Sequence, residues 1–293
     1  MEGKNSLSGV LVESAMRRQV NRLSQDISIS SGINELIKYK INGLLSIDNA
    51  GLPSGVLSKT DIMGAYYAGI EITAPLEYIM SSPPLFCTVD APLESALEQM
   101  REYGVYRLYV MDSDGESVVG SLAYPDIVGL LYQYCCSCDY SHVRRITGQE
   151  EAPVKRTLVA DCMTKDVRGV GENDSLVAVM EELSSYRMGA VLVTDQNNVA
   201  RGVISKTDLI LAYKHGVDPN VQAHSIMSTP VRTCRADELL EDAIRTMIFN
   251  DLHRLFVSGE GADDIVGVFT LTDAARNKSG SCHACISSRI IVS

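Results

Sequence analysis

Apolar and polar residues alternate along this chain with a period that changes repeatedly, and the changes predict helices and strands. From Ser175 to Met188 the apolar residues recur every three or four positions, as one face of an amphipathic helix requires. Two apolar segments follow, AVLVTD and GVISKT, separated by the polar turn QNNVAR, and a second helical pattern then ends at Gly216. With MTKDVRGV in front, this stretch predicts the element order β-α-β-β-α.

The same pattern occurs four times. LSKTDIMGAYYAG at Leu57–Gly69 reappears 147 residues later as ISKTDLILAYKHG at Ile204–Gly216. The offset holds without a gap from about Val10–Ile146 to Thr157–Ser293. Each half is itself double, because in both halves a second Gly-hydrophobic segment ends in Asp 65 residues after the first.

We therefore predict an α/β protein of four repeats arranged as two consecutive pairs. A repeat of about 60 residues buries little surface alone, which favours pairing. The first pair is expected to span 1–146 (repeats at about 10–70 and 76–134), the second 157–293 (repeats at about 157–217 and 223–281), with a linker at 147–156 and a cysteine-containing tail at 282–293.

Composition narrows the class of protein. The chain has 293 residues, 45% hydrophobic and 22% charged, which is typical of a globular protein. Its apolar runs are far shorter than the roughly 20 residues of a membrane helix, and MEGKNSLSG lacks the pattern of a secretory signal. We expect a cytoplasmic protein without a membrane span. The net charge of −11 argues against nucleic-acid binding.

A motif, Gly-hydrophobic-x-Ser/Thr-x-x-Asp, lies where a strand is predicted to lead into a helix: GVLSKTD ends at Asp61, GVISKTD at Asp208 and GVFTLTD at Asp273. A carboxylate in the first turn of a helix is stabilised by the helix dipole and can accept hydrogen bonds from a vicinal diol such as a ribose. Nearby hydroxyl groups add donors at the same edge: Ser58, Thr60, Ser205, Thr207, Thr270 and Thr272. The alternative is that these residues are only helix N-caps, which prefer the same side chains.

The second repeat departs from the motif. GSLAYPD ends at Asp126, but Ala123 stands where the hydroxyl residue is expected and Pro125 directly precedes the carboxylate. We therefore expect three competent sites, or fewer.

These motifs and their spacing resemble the CBS domain family, named after cystathionine β-synthase, whose members pair as Bateman modules. The resemblance implies two modules packed as a pseudo-twofold disc, either monomeric or as a homodimer. It also implies that each motif Asp holds ribose hydroxyls and that basic residues before the second strand reach phosphates. Those basic positions are Arg107, His253 and Arg254; a surface salt bridge for Arg254 and a structural role for His253 remain alternatives.

The resemblance implies a regulatory protein whose ligand is AMP, ADP, ATP, S-adenosylmethionine or a dinucleotide such as NAD. The basic residue pair His253 and Arg254 favours phosphorylated adenosines. The sequence contains neither a phosphate-cradling GxxxxGK[ST] loop nor a recognisable nucleophile with its base, so we do not expect an enzyme. The expected partner is a regulated protein that the sequence does not identify.

Two Cys-x-x-Cys pairs also correspond by the 147-residue offset: Cys135 with Cys138, and Cys282 with Cys285. If the halves pack about a pseudo-twofold axis, four sulfurs could form a zinc or iron–sulfur site. Local redox disulfides and thiols without a common role are the alternatives. A metal- or redox-responsive interaction protein is thus a second functional hypothesis. Cys87 and Cys234 are predicted to be buried core thiols.

Overall fold

The computed structural model describes residues 9–136, 157–259, 261 and 264–280, without the side chains of 134–136 and 278–280. Each repeat consists of a short strand, a helix, two further strands and a second helix. In the first repeat these are β1 (Arg22–Ser24), α1 (Ile29–Lys38), β2 (Gly43–Ile47), β3 (Pro53–Ser58) and α2 (Lys59–Tyr67).

The other three repeats have the same order. Repeat 2 consists of β4 (Phe86–Thr88), α3 (Leu93–Glu102), β5 (Arg107–Met111), β6 (Val118–Ala123) and α4 (Tyr124–Cys136). Repeat 3 consists of β7 (Gly169–Gly171), α5 (Leu176–Ser185), β8 (Ala190–Thr194), β9 (Ala200–Ser205) and α6 (Lys206–Lys214). Repeat 4 consists of β10 (Thr233–Arg235), α7 (Leu240–Phe249), β11 (Arg254–Ser258), β12 (Ile265–Thr270) and α8 (Leu271–Gly280). The predicted α/β class and the order β-α-β-β-α are confirmed.

Each repeat has its own three-stranded mixed sheet. The first strand pairs parallel to the second, and the second pairs antiparallel to the third, as in β1-β2-β3. The parallel pair needs a crossover, which the first helix supplies, whereas a short turn joins the antiparallel pair. The second helix therefore always begins where the third strand ends, and this junction carries the motif Asp.

The repeats group into two compact units. The odd unit contains repeats 1 and 3 (Val20–Leu85 and Val167–Val231), and the even unit contains repeats 2 and 4 with the described parts of 1–19, 86–166 and 232–293. In the odd unit, helices α2 and α6 pack together, and a single apolar cluster includes Leu57 and Ile62 with their counterparts in repeat 3. The predicted division of the sequence into consecutive pairs stays a prediction.

A leading segment, one 3₁₀ turn followed by Met, precedes each repeat: 12–17, 76–81, 159–164 and 223–228. Each leading segment lies against the third strand of the neighbouring repeat in its half of the chain. Ser81, which leads into repeat 2, exchanges backbone hydrogen bonds of 2.8 and 3.0 Å with Val56 of repeat 1. Arg17, which leads into repeat 1, makes two bonds of 2.9 Å with Ser121 of repeat 2. The second half of the chain repeats this exchange.

The glycine of the motif permits this contact. A Cβ at Gly55 would lie 2.7 Å from the sulfur of Met80, and one at Gly202 would lie 2.8 Å from the sulfur of Met227. Such distances are shorter than van der Waals contact, so any larger side chain would push the leading segment away. The recurrence of Gly in the motif and of Met in the leading segment is thus a packing requirement.

The two cysteines predicted to be buried differ in exposure. Cys234 is 6% exposed, as predicted, whereas Cys87 is only half-buried. Burial raises the pKa of Cys87 to about 11 and that of Cys234 to about 12, so both thiols are protonated at neutral pH.

No helix within the described residues is both long enough and apolar enough to cross a membrane.

Candidate functional site

In the odd unit each motif carboxylate belongs to a capping box. The Ser58 hydroxyl oxygen accepts the backbone N–H of Asp61 at 3.3 Å, and Asp61 Oδ2 accepts the backbone N–H of Ser58 at 2.7 Å and its hydroxyl at 2.6 Å. Ser205 and Asp208 repeat this arrangement at 2.7 and 2.6 Å. Both serines are therefore N-caps of their helices, and their hydroxyl groups also donate to the carboxylate.

The other carboxylate oxygen lies at the edge that the leading segment forms. Asp61 Oδ1 accepts the hydroxyl of Ser81 at 2.9 Å, and Asp208 Oδ1 accepts that of Ser228 at 3.1 Å. Both carboxylates are half-buried, while both leading-segment serines are exposed. Since a carboxylate oxygen can accept more than one hydrogen bond, a ligand hydroxyl can approach Oδ1 from this edge.

Two lysines connect the motif helices of the odd unit. Lys59 Nζ donates to Thr207 Oγ1 at 2.9 Å, and Lys206 Nζ donates to Thr60 Oγ1 at 2.8 Å. Two ammonium groups therefore lie beside two helix N-termini, which are themselves electropositive. Sequence reasoning selected the threonines but missed the lysines. The available signal was that only the motifs of repeats 1 and 3 carry Lys after the capping serine.

Two tyrosines fix helix α2 against helix α6. The rings of Tyr66 and Tyr213 stack with centroids 5.1 Å apart. Tyr66 donates its hydroxyl to the carbonyl of Val217 at 2.8 Å, and Tyr213 donates to the carbonyl of Ile70. Burial raises the pKa of Tyr66 to about 12, and the charge of Asp218 adds to this shift. The lysine–threonine contacts thus join the two motif helices at their N-termini, and the tyrosines join them near their C-termini.

In the even unit, repeat 4 keeps the same cap. Asp273 Oδ2 accepts the backbone N–H of Thr270 at 2.9 Å and its hydroxyl at 2.7 Å, while Thr272 lies half-buried in the first turn of α8. Burial raises the pKa of Asp273, although the hydrogen bonds from Thr270 and the charge of Arg276 oppose the shift. This carboxylate is therefore less well solvated than ordinary surface carboxylates.

The predicted basic positions lie at the start of the second strands of the even unit. His253 Nδ1 lies 3.1 Å from the hydroxyl of Tyr106, which occupies the equivalent position in repeat 2. Arg254 is half-buried, and burial lowers its pKa while the neighbouring Tyr106 opposes the shift. Arg107 donates Nη1 to the hydroxyl of Ser121 at 2.8 Å. His253 thus has a hydrogen-bond partner within the protein, as its structural role would require. Arg254 is half-buried, whereas a residue in a surface salt bridge would be exposed.

The even unit also contains a cavity of about 370 Å³. Of the predicted residues it brings together Asp126 and His253, and it adds Arg17, which sequence reasoning missed. Its lining comes from helices and the segments beside them: Ser14, Ala15, Arg17, Pro125, Asp126, Gly129, Leu130, Gln133, Met247, Ile248, Asp251, Leu252, His253 and Leu271.

Repeat 2 has a different arrangement around its carboxylate. Asp126 Oδ2 accepts the backbone N–H of Ala123 at 2.8 Å, so the backbone half of the cap survives without the hydroxyl. Its Oδ1 accepts Arg17 Nε at 2.5 Å in an ion pair, and the Asp126 side chain is only 4% exposed. Repeat 2 therefore differs from the other repeats at Ala123, as predicted from the sequence, and also in its leading segment, where Arg17 contacts the carboxylate.

The predicted metal ligands lie outside the described side chains: Cys135, Cys138, Cys282 and Cys285. Among the residues that the structure describes, no group of three or more His, Cys, Asp or Glu could hold a metal ion. The four-cysteine site stays a prediction.

Fold and site together define a protein of tandem α/β repeats, each with a carboxylate that caps its second helix. The family model for the CBS domain matches residues 76–132, 159–215 and 223–280. The chain belongs to the CBS-domain family, and the resemblance inferred from the motifs is confirmed. Repeat 1 lies outside the matched ranges but has the same element order and the same capping box.

Sequence relatives cover parts of the chain. Protein MJ1225 from Methanocaldococcus jannaschii is 26% identical over 181 residues, which cover 62% of this chain and 63% of that protein. The CBS domain-containing protein YhcV from Bacillus subtilis is 27% identical over 121 residues, covering 41% of this chain and 84% of YhcV. The match to MJ1225 thus spans less than two thirds of that relative's length.

Solved structures show the fold over most of the chain. The crystal structure of MJ1225, described as a proposed archaeal homologue of g-AMPK, has a TM-score of 0.76 at 18% identity and covers 92% of this chain and 99% of its own. An uncharacterised conserved protein from Pyrococcus horikoshii has a TM-score of 0.59 at 19% identity, covering 92% of this chain and 100% of its own.

Proposed function

We propose that this chain is a regulatory protein that binds an adenine nucleotide at the carboxylates of its motif helices and transmits a conformational change to another protein. The observation that carries the proposal is the geometry of Asp61 and Asp208. Each carboxylate is held at a helix N-terminus by two donors to one oxygen, and its other oxygen lies at an edge lined by hydroxyl groups. A ribose diol needs acceptors of this kind.

The charges beside these carboxylates support a phosphorylated ligand. Lys59 and Lys206 each reach the threonine next to the other repeat's motif carboxylate. Lysine ammonium groups and helix N-termini both favour phosphate, and both disfavour the sulfonium group of S-adenosylmethionine. AMP, ADP or ATP is therefore the proposed ligand class.

Regulation follows if the nucleotide binds two arrangements of the repeats with different affinity. A ligand shifts such an equilibrium only by its differential affinity for the two states. We propose that an unidentified partner protein, or a second copy of the chain, reads the shift, and that the chain itself is not catalytic.

The test is thermal unfolding of the purified chain with adenosine, AMP, ADP, ATP, NAD and S-adenosylmethionine. A ligand at about a hundredfold over its Kd adds about 2.7 kcal/mol to the free energy of unfolding, which is a shift of several degrees for domains of this size. We expect phosphorylated adenosines to raise the Tm more than adenosine does, and Lys59→Ala with Lys206→Ala to remove that difference.

Asp208→Asn and Asp273→Asn are the matched site variants, because Asn keeps an oxygen that can accept the cap hydrogen bond. We expect the ligand-dependent increments of both variants to shrink, the ligand-free Tm of Asp208→Asn to change little, and that of Asp273→Asn to rise at neutral pH because its buried carboxylate is removed. A chain whose Tm responds to none of these compounds contradicts the proposal.

The cysteine pairs support a second candidate, a metal-responsive protein. Helices α4 and α8, which lead into the two Cys-x-x-Cys pairs, pack against each other in the even unit. Packed helices of equivalent repeats favour a shared site over two independent ones.

A further inference from the structure

In three of the leading segments the side chain after the methionine contacts a motif carboxylate. It is Ser81 for Asp61 and Ser228 for Asp208, and both serines donate a hydroxyl to their carboxylate. At the equivalent place in repeat 4 the residue is Thr164, paired through its backbone with Val268. Only the second of the four repeats has a long charged residue there, Arg17.

Arg17 uses the carboxylate oxygen that a ligand hydroxyl needs. Its Nε donates to Asp126 Oδ1 at 2.5 Å, while the backbone N–H of Ala123 occupies Oδ2 at 2.8 Å. The carboxylate is 4% exposed, against 59% for the arginine, so the guanidinium covers it from the solvent side. A neutral ribose hydroxyl would have to replace a charge-assisted hydrogen bond, which is the stronger of the two.

Strand β6, which lies beside this ion pair, also differs from the third strands of the other repeats. The residue after the motif glycine is Val56, Val203 or Val268 in the other repeats, but it is Ser121 in repeat 2. Ser121 is 1% exposed and accepts a hydrogen bond from Arg107 Nη1 at 2.8 Å. An apolar position that could pack against an aromatic base has thus become a polar position with its own protein partner.

The cavity near Asp126 is not lined by the strands of repeat 2. Its lining comes from helices α4 and α7, the leading segment and the residues around them, and includes none of the residues of β4, β5 or β6. The ion pair between Arg17 and Asp126 forms part of its wall. The cavity is therefore lined by helices and by the leading segment, and Ser121 is not among its lining residues.

We propose that Arg17 closes the site of repeat 2, so that it is the residue that sets how many nucleotides the chain binds. Nucleotide binds at Asp61, Asp208 and Asp273 and not at Asp126. This inference rests on the proposed function and adds which of the four motif carboxylates bind nucleotide.

The test counts bound nucleotide per chain by equilibrium dialysis with radiolabelled AMP and, separately, ATP. Asp126→Asn binds as many equivalents as the wild-type chain, whereas Asp61→Asn binds one fewer. Ser81→Arg transplants the blocking side chain into repeat 1 and also removes one equivalent. Tyr78→Arg, the matched control, places the same charge on the same leading segment at a side chain that is 70% exposed, and it retains the equivalent. Ser81 is exposed, so the transplanted arginine needs no change in the core.

Loss of one equivalent in Asp126→Asn, or an unchanged number in Ser81→Arg, overturns the role of Arg17. A wild-type chain that binds neither AMP nor ATP overturns the proposed function together with this inference. The two failures are therefore distinguishable, because the first appears only in the variants.

Discussion

Asp273 differs from an ordinary capping carboxylate in its surroundings. Its cap hydrogen bonds from Thr270 stabilise the ionised form, but burial is the larger effect and raises its pKa above the ordinary value of 3.8. The folded protein therefore holds a proton on Asp273 more tightly than the unfolded chain does. A residue proposed to bind ribose as an ionised acceptor is thus a source of instability at neutral pH.

The pH dependence of stability tests this interpretation. Because the folded pKa is raised, the stabilising contribution of this group is fully present below about pH 3.8 and is lost as the pH rises through the folded pKa. We expect the Tm of the wild-type chain to fall, relative to that of Asp273→Asn, as the pH rises above about 4. Thermal unfolding at several pH values measures the difference; parallel profiles would contradict the prediction.

At the scale of residues, sequence reasoning found the groups within each motif and missed those that reach it from elsewhere. Asp61 and Ser58 are three positions apart at a helix start, so helix geometry alone predicts their contact. Ser81 and Arg17 approach their carboxylates from 20 and 109 residues away. No local pattern encodes such contacts, which depend on the exchange of leading segments.

The leading segments are the elements on which the sites depend. Each brings a methionine onto the motif glycine of a neighbouring repeat, and three of them also bring a polar side chain onto its carboxylate. Displacing the segment would therefore weaken both the packing of the third strand and the proposed ligand site.

Two glycine substitutions separate this packing role from backbone flexibility. In Gly202→Ala the new Cβ would lie 2.8 Å from Met227 Sδ and 3.0 Å from the carbonyl of Ser228, and we expect a loss of about 1–3 kcal/mol in the free energy of unfolding. In the helical Gly64→Ala nothing lies within 4 Å, and we expect a gain of about 0.5–1 kcal/mol. Thermal unfolding of the two variants should give shifts of opposite sign. Shifts of the same sign would show that steric contact is not the cause.

The periodicity of apolar residues was sufficient to predict the first helix of each repeat, since each of these helices has one buried face with the expected spacing. In α5 the buried residues Leu176, Val179, Met180 and Leu183 are those of the predicted helical face. The order of the elements within a repeat also followed from the sequence. The position of the leading segment could not be predicted in this way, because one 3₁₀ turn has too few residues to show a period.

At the scale of the molecule, each compact unit takes one repeat from each half of the chain. In the odd unit the reciprocal lysine–threonine contacts and the stacked tyrosines connect equivalent residues of repeats 1 and 3. The duplication was evident in the sequence. The grouping of its copies was not, since identical spacing is compatible with several arrangements of four repeats.

The cysteine pairs give a prediction at this scale. If the pairs meet, protein purified without oxygen or chelators holds about one zinc ion or one iron–sulfur cluster per chain, because four thiolates complete the coordination of either. Elemental analysis and visible absorbance measure the content. Cys135→Ser with Cys282→Ser should abolish it, and Cys162→Ser, which has no counterpart in the other half, should not. Metal-free wild-type protein would contradict the prediction.

The exchange of leading segments also bears on how such a chain can be divided and copied. A repeat cut out alone would keep a segment made for its neighbour and would lack the segment that covers its own third strand. During synthesis, β3 of the first repeat stays uncovered until residues 76–81 have left the ribosome, so its folding must wait for the next stretch of chain. A pair of consecutive repeats is then the smallest piece in which every third strand has its covering segment, and the 147-residue duplication copies that piece whole.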